Sequence, residues 1–343
     1  MGEGRFAGGA AALAGVLLAA SAVALALASG SDPSRSGAGH TAAGMSMGAG
    51  TDTPSRMHMA STMGVGPPPV WDDGTPAVPT RHLGPQGQVG QFVAKCLYSH
   101  SAPADPIVWP GRPGRSHRHD FYGSTQTDAL STPAKLEHSD STCDKAGDSA
   151  AYWQPTLYDH DAAVEPYQVN AYYRAAPGVK PTDVQPFPFG MALIAGDALA
   201  TTPQAGEAAG WTCGVETNLT KEPTECAAGS PLHLVLTFPD CWDGTRLDSP
   251  NHRDHATYSR DGGKCPATHP VHVPQLTVSV KFPIYGPGHD LRLASGSTYS
   301  AHGDFFNAWD PVAMDREVRH CLHNNEVCGL ASNREQVAPF FTE

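Results

Sequence analysis

Glycine and proline interrupt this chain at roughly every fifth position, with 36 Gly and 31 Pro among 343 residues. Proline removes a helical hydrogen bond and clashes with the preceding turn, and each interior glycine costs about 1 kcal/mol relative to alanine. Long helices, and with them bundles and coiled coils, are excluded. What remains is a set of short strands joined by long loops. Such loops need staples, and the sequence holds eight cysteines: Cys96, Cys143, Cys213, Cys226, Cys241, Cys265, Cys321 and Cys328. Their number is even and no C-x-x-C pair occurs, which points to disulfides in an exported protein rather than to a zinc ribbon. Pairing each with its neighbour closes the shortest loops. Eight cysteines allow 105 pairings and the sequence does not choose among them; the short-loop expectation is Cys96–Cys143, Cys213–Cys226, Cys241–Cys265 and Cys321–Cys328.

Gln91 to Tyr98, Ala151 to Tyr158, Val169 to Arg174 and Phe189 to Ile194 are short aromatic or apolar segments. Leu232 to Phe238 and Leu276 to Phe282 alternate with period two, as half-buried strands do. No strand–helix–strand alternation is present, so a doubly wound parallel sheet is not expected. A helical pattern is found only near the C-terminus. There Asp310 caps, Pro311 suits the first turn, and Val312, Val318, Cys321 and Leu322 form one stripe. The expected fold is mainly β: an antiparallel β-sandwich with long disulfide-stapled loops and a short C-terminal helix.

Three regions are expected along the chain. Residues 1–28 form a signal peptide or signal anchor: Phe6 to Ala28 carries no charge and ends in Ala26-Leu27-Ala28, a small-x-small cleavage pattern. The stretch also reaches the roughly 20 residues that span a bilayer, which keeps the anchor open. The remainder is exported in either case, so the protein is secreted or extracellular, and membrane contact comes only through an uncleaved N-terminal segment. Residues 29–69 are Gly, Ala, Ser, Thr, Pro and Met with almost no large aliphatics, and read as a disordered linker. Within it lie His40, Met45, Met47, Met57, His58, Met59 and Met63. Thioether and imidazole suit Cu(I), but soft ligands without defined geometry do not make a site, and a low-complexity linker is the favoured account of them. Residues 70–343 form a single globular domain.

The charge balance, 22 Lys+Arg against 34 Asp+Glu, lacks the basic face that nucleic-acid binding requires. No G-x-S-x-G, H-E-x-x-H, P-loop or G-x-G-x-x-G-plus-helix pattern occurs, which disfavours serine esterases of the usual α/β kind, zincins and nucleotide enzymes. Histidine is over-supplied, at 17 residues. Several gather in three clusters. Ser116 to Gly123 (SHRHDFYG) sets His117 and His119 on one face if it is a strand, with Asp120 on the other. Pro239 to Tyr258 (PDCWDGTRLDSPNHRDHATY) holds Trp242, Asp243, Asp248, His252 and His255 on a loop. His302 to Asp310 (HGDFFNAWD) adds His302, Asp304, Asn307 and Trp309. Any one of these residues is as well explained by caps, turns and core hydrogen bonds. Neutral imidazoles crowded with carboxylates on loops are nevertheless what acid/base and metal sites require.

Six stretches, 105–124, 151–159, 186–196, 238–258, 265–276 and 302–310, together resemble an exported family of bacteria and fungi, the domain of unknown function DUF1996. The likeness covers roughly residues 90 to 328. It implies export and a shared fold, and no reaction. The positions that resemble the family's most regular pattern are His117, His119, Trp242, Asp243, Asp248, His252, His255, His269, His302 and Asp304.

Three functions compete. The first is action on an extracellular or cell-wall polysaccharide, by hydrolysis or elimination, through a His/Asp-rich cleft. Hydrolysis needs two carboxylates about the scissile bond and elimination needs a base near neutral pH. The candidate catalytic residues are His117, His119, Asp243, Asp248, His255, His302 and Asp304, and the candidate substrate contacts are Tyr122, Trp242, His252, His269, Asn307 and Trp309. The second is non-catalytic glycan binding at the cell surface. The third is transition-metal binding, zinc or copper, with His117, His119 and one of His255 or His302 as ligands.

Overall fold

A computed structural model describes residues 64–82, 89–214 and 218–329. The signal segment at 1–28 and the Met/His-rich part of the linker lie outside the described residues. Ten strands form one continuous sheet. Its order is Ala192–Gly196, His302–Phe306, Ala151–Pro155, His119–Gly123, Gln91–Ala102, Gln168–Arg174, Gln275–Phe282, Leu232–Thr237 and Ala209–Cys213, with Val327–Gly329 paired beside Gln91–Ala102. Every neighbouring pair along that order is antiparallel, and only the added strand Val327–Gly329 runs parallel to its partner. The mainly antiparallel, sandwich-like fold expected from the sequence is what the chain adopts.

Gln91–Ala102 is the strand that makes a sandwich of the sheet. Its first half pairs with Gln168–Arg174 and its second half with His119–Gly123, and the register breaks between Tyr98 and His100. A bulge of this kind bends the strand and sharpens its twist, so the two halves of the sheet fold towards each other. Phe92, Tyr122, Tyr152, Tyr173, Trp211, Leu234, Phe238, Phe305 and Trp309 fill the space between them. Side chains alternate across a strand. On the half made by the 119–123, 151–155, 192–196 and 302–306 strands, Tyr122, Tyr152, Leu193 and Phe305 accordingly point into this core. Phe121, Trp153, Ile194 and Phe306 line the outer face, where they pack with Ala104, Ile107 and Val108 of the covering loop. A second buried layer results, and it is the one that carries the site.

Four disulfides join Cys96–Cys143, Cys213–Cys226, Cys241–Cys265 and Cys321–Cys328, the nearest-neighbour pairing, and no cysteine is free. Four bridges fit an oxidising or extracellular environment. No helix among the described residues is long and apolar enough to cross a membrane. The Cys241–Cys265 bridge closes the loop that follows Leu232–Thr237, where Cys241–Trp242 pairs with Ala256–Thr257 and Val271–His272. The C-terminal helix spans Pro311–Glu317 and runs on as a wider turn through Val318–Leu322; Asp310 caps it by accepting from Ala313 N at 2.8 Å. One member of the expected stripe is displaced: Val312 is 74% exposed, and Ala313, Met314 and Val318 face inward instead. Pro311 starts the helix one residue before Val312, so the buried face begins at position 313.

Candidate metal centre

The His119–Gly123 strand begins at His119, so His117 is not on it. The expectation that strand periodicity aligns the two imidazoles is thus replaced by a loop that folds back: ring centroids of His117 and His119 lie 4.3 Å apart. His302 comes from the start of the His302–Phe306 strand, and its ring is 5.0 Å from that of His117 and 5.7 Å from that of His119. Between His119–Gly123 and His302–Phe306 lies the strand Ala151–Pro155, in which Pro155 is the residue opposite His119. Both flanking imidazoles stand on the outer face of the sheet.

The hydrogen bonds decide which nitrogen each ring presents. His119 Nδ1 is 2.9 Å from the Ala104 carbonyl and His302 Nδ1 is 2.8 Å from the Ser300 carbonyl. A carbonyl only accepts, so both Nδ1 atoms carry the proton and both Nε2 atoms present a lone pair. His302 Nε2 faces His117 Nε2 at 3.2 Å, while His119 Nε2 is buried with no partner. The ligand atoms of the three lie within 4.8 Å of one another. Two nitrogens each about 2.0–2.1 Å from a tetrahedral zinc stand about 3.3 Å apart, close to the His117–His302 separation. Imidazoles pinned through Nδ1 to backbone carbonyls, as those of His119 and His302 are, have the usual second-shell arrangement of metal ligands.

Burial keeps these rings neutral. It lowers His117 to about 4; it lowers His302, with help from the neighbouring His117, to about 3. His119 is held well below the ordinary imidazole value by burial and then by its two neighbours. Two carboxyls adjoin them. The ligand atoms of Asp105, His119 and Asp304 also lie within 4.8 Å of one another. Burial raises Asp105 to about 6, although Oδ1 accepts from Val108 N at 2.8 Å and Ile107 N at 3.0 Å. Burial, and then Asp105, push Asp304 well above the carboxylate range, against the pull of Arg253. The cleft over these groups is bounded by Val65, Val108, Trp109, Ser116, Ile194 and Arg253, and its free volume is about 20 Å³. That is room for one water or one ion.

Other candidate residues lie elsewhere. Asp243 shapes a turn: it accepts from Thr245 N at 2.8 Å and Arg246 N at 2.9 Å and pairs with the Arg246 guanidinium at 2.6 Å. Burial alone would raise it, but these bonds outweigh burial and hold it at about 2. Asp248 is exposed and joined to His252 at 2.9 Å. His255 is buried with both nitrogens engaged, by Ser249 Oγ at 3.1 Å and the Ala192 carbonyl at 2.6 Å. Trp242 gives its indole N–H to the Arg246 carbonyl, and His269 contacts the Asp254 carbonyl and Thr268. Tyr122, Asn307 and Trp309 are core groups. Tyr122 OH accepts from Gln154, Asn307 donates to the Pro188 carbonyl, and Trp309 donates to Tyr173 OH. The structure therefore brings His117, His119, His302 and Asp304 together and leaves the 239–258 candidates Trp242, Asp243, Asp248, His252 and His255 outside that cluster.

Asp105, Trp109 and Arg253 join the cleft without having been singled out as candidates. Asp105 and Trp109 belong to the same stretch as His117, where the His-x-His spacing draws the eye from them. Arg253 sits between two histidines that do not take part. Its Nη2 donates to the Gly196 carbonyl at 2.6 Å and its Nε is buried without a partner. It also forms part of the wall of a groove of about 520 Å³ lined by Pro68, Pro69, Val78, Leu199 and Tyr258.

Among known proteins, no curated sequence and no solved structure matches this chain. The model of one family does match, over residues 105–309, a span that holds all five residues of the cluster and more than half of the chain. The chain belongs to that family, described as a domain of unknown function (DUF1996).

Proposed function

We propose that this protein is an exported transition-metal protein whose centre is formed by His117, His119 and His302. The convergence of the three imidazoles, two of them with Nδ1 committed to backbone carbonyls, carries the reading. A purely structural trio would satisfy its own hydrogen bonds, whereas here His119 Nε2 is left buried and unpaired. An unpaired buried acceptor costs about 1–3 kcal/mol, which a bound ion removes. Imidazole suits zinc and copper alike.

Metal analysis of the purified, tag-free protein tests this. One equivalent of zinc or copper is expected in the wild type, and His117→Ala, at a half-buried position, is expected to lose most of it without unfolding. Less than about one-tenth of an equivalent after reconstitution overturns the proposal.

An extracellular polysaccharide remains the proposed partner, and the 520 Å³ groove is where it would meet the centre. The space directly over the imidazoles admits no sugar ring. The groove shares Arg253 with the metal cleft, so a chain lying in it passes beside the ion. Depletion of wall polysaccharide by the immobilised protein checks this, and failure to retain any wall glycan counts against it.

A further inference from the structure

We propose that Asp304 is the charged ligand of this centre, and that it makes the site selective for a divalent ion over Cu(I). The inference rests on the three-imidazole reading above and adds a fourth donor to it. Asp304 follows His302 by two residues on one strand, so both side chains stand on the same face of the sheet. The residue is 2% exposed, and neither carboxylate oxygen has a hydrogen-bond partner. Each neighbour that could satisfy it is committed elsewhere or out of reach. Asp105 places its Oδ1 on the amides of Ile107 and Val108. Arg253, the cation of the cleft wall, directs Nη2 to the Gly196 carbonyl, and its unpartnered Nε makes no ion pair with Asp304. Trp153, opposite Asp304 in the sheet, has a buried indole N–H that is likewise unpaired rather than donated to the carboxylate.

A carboxylate buried without a partner is costly unless a cation is coordinated. His119 links the two halves of the arrangement. It belongs to two trios whose ligand atoms lie within 4.8 Å of one another, one with His117 and His302 and one with Asp105 and Asp304. His117, His302 and Asp304 line one cleft, and its free volume of about 20 Å³ accommodates one ion and not a pair, so a cation held there is shared by imidazole and carboxylate. The chemistry of the donor set then decides which cation. Three neutral nitrogens accept zinc or either copper state, whereas an anionic oxygen donor favours a divalent ion and adds nothing for soft Cu(I).

The test is a pair of competition titrations on the full chain, metal-free, with a Zn(II) chelator and with a Cu(I) chelator, for wild type, Asp304→Asn and His117→Ala. Asp304→Asn is expected to weaken Zn(II) by at least about 100-fold and Cu(I) by less than about threefold, while His117→Ala weakens both. Zn(II) affinity of Asp304→Asn within threefold of wild type overturns the proposal, as does an equal loss of both metals. If the wild type binds neither metal, it is the three-imidazole reading that falls. A measurement on the wild type alone guards against a variant that fails to fold. The infrared difference between zinc-bound and metal-free protein should lose a buried COOH band and gain a coordinated carboxylate band. An unchanged carboxyl region refutes the assignment.

Discussion

Single residues in this protein are governed by burial more than by charge. Asp148 is 2% exposed; it accepts from Tyr152 OH at 2.9 Å and Ala150 N at 3.1 Å, and burial pushes its carboxyl up to about 8. Its folded pKa lies above the unfolded value of 3.8. The stability it contributes is therefore complete below that value and is lost as pH climbs through about 8. Between pH 6 and 9 this group is expected to remove on the order of 2–3 kcal/mol, and Asp148→Asn should flatten the melting temperature over that range. A wild type and variant with parallel pH profiles would refute it. The same dominance of burial explains which residues the sequence misplaced. Tyr122, Asn307 and Trp309 stand beside His and Asp in the chain, but aromatic density marks a core as readily as a binding platform. The candidates that converge, His117, His119, His302 and Asp304, are those whose strand or loop lies on the outer face of one half of the sheet. Nothing in local spacing distinguishes that face from the inner one.

At the scale of elements, what could be read was whatever depends on near neighbours. Period-two alternation located Leu232–Thr237 and Gln275–Phe282 to within a residue. The four disulfides are the nearest-neighbour pairs that short loop closure favours among the 105 pairings the sequence left open. The pairing of His302–Phe306 between Ala151–Pro155 and Ala192–Gly196 involves partners more than a hundred residues distant, and no local pattern encodes it. The imidazole cluster depends on that pairing. The 239–258 segment, densest in Asp and His, turned out to spend those residues on its own turns, with Asp243 on Thr245 and Arg246 and Asp248 on His252. The bridge Cys241–Cys265 fastens this segment and with it Arg253. Replacing both cysteines by alanine is expected to cost about 3 kcal/mol, seen as a lower midpoint in urea unfolding. An unchanged midpoint would show that the pairing of Cys241–Trp242 with its two neighbouring strands holds the loop unaided.

For the molecule as a whole, the fold separates two tasks. One buried layer, between the halves of the sheet, is occupied by interlocking aromatics and provides stability. The other, under the 103–118 loop, is thinner and holds ionisable groups at its end. Placing the chemistry outside the main core lets its polar groups be exchanged without opening the sandwich, which is why His117→Ala is expected to change metal content rather than folding. Val65 also belongs to the wall of that cleft, and Gly66 N is fixed to the Asn251 carbonyl at 2.9 Å. The first described residues thus lie at the mouth of the cleft over the imidazoles. Met63, His58, Met59 and Met57 precede Val65 by only a few residues. Side chains this close in sequence would act on an ion in that cleft at roughly millimolar effective concentration, whatever their own affinity. Deleting residues 40–63 is accordingly expected to change the rate at which a chelator strips the ion, in stopped-flow, while final affinity stays within about threefold. An identical stripping rate would remove the Met/His run from the traffic of the metal. A different one would make the length of chain ahead of Val65 a setting for exchange kinetics.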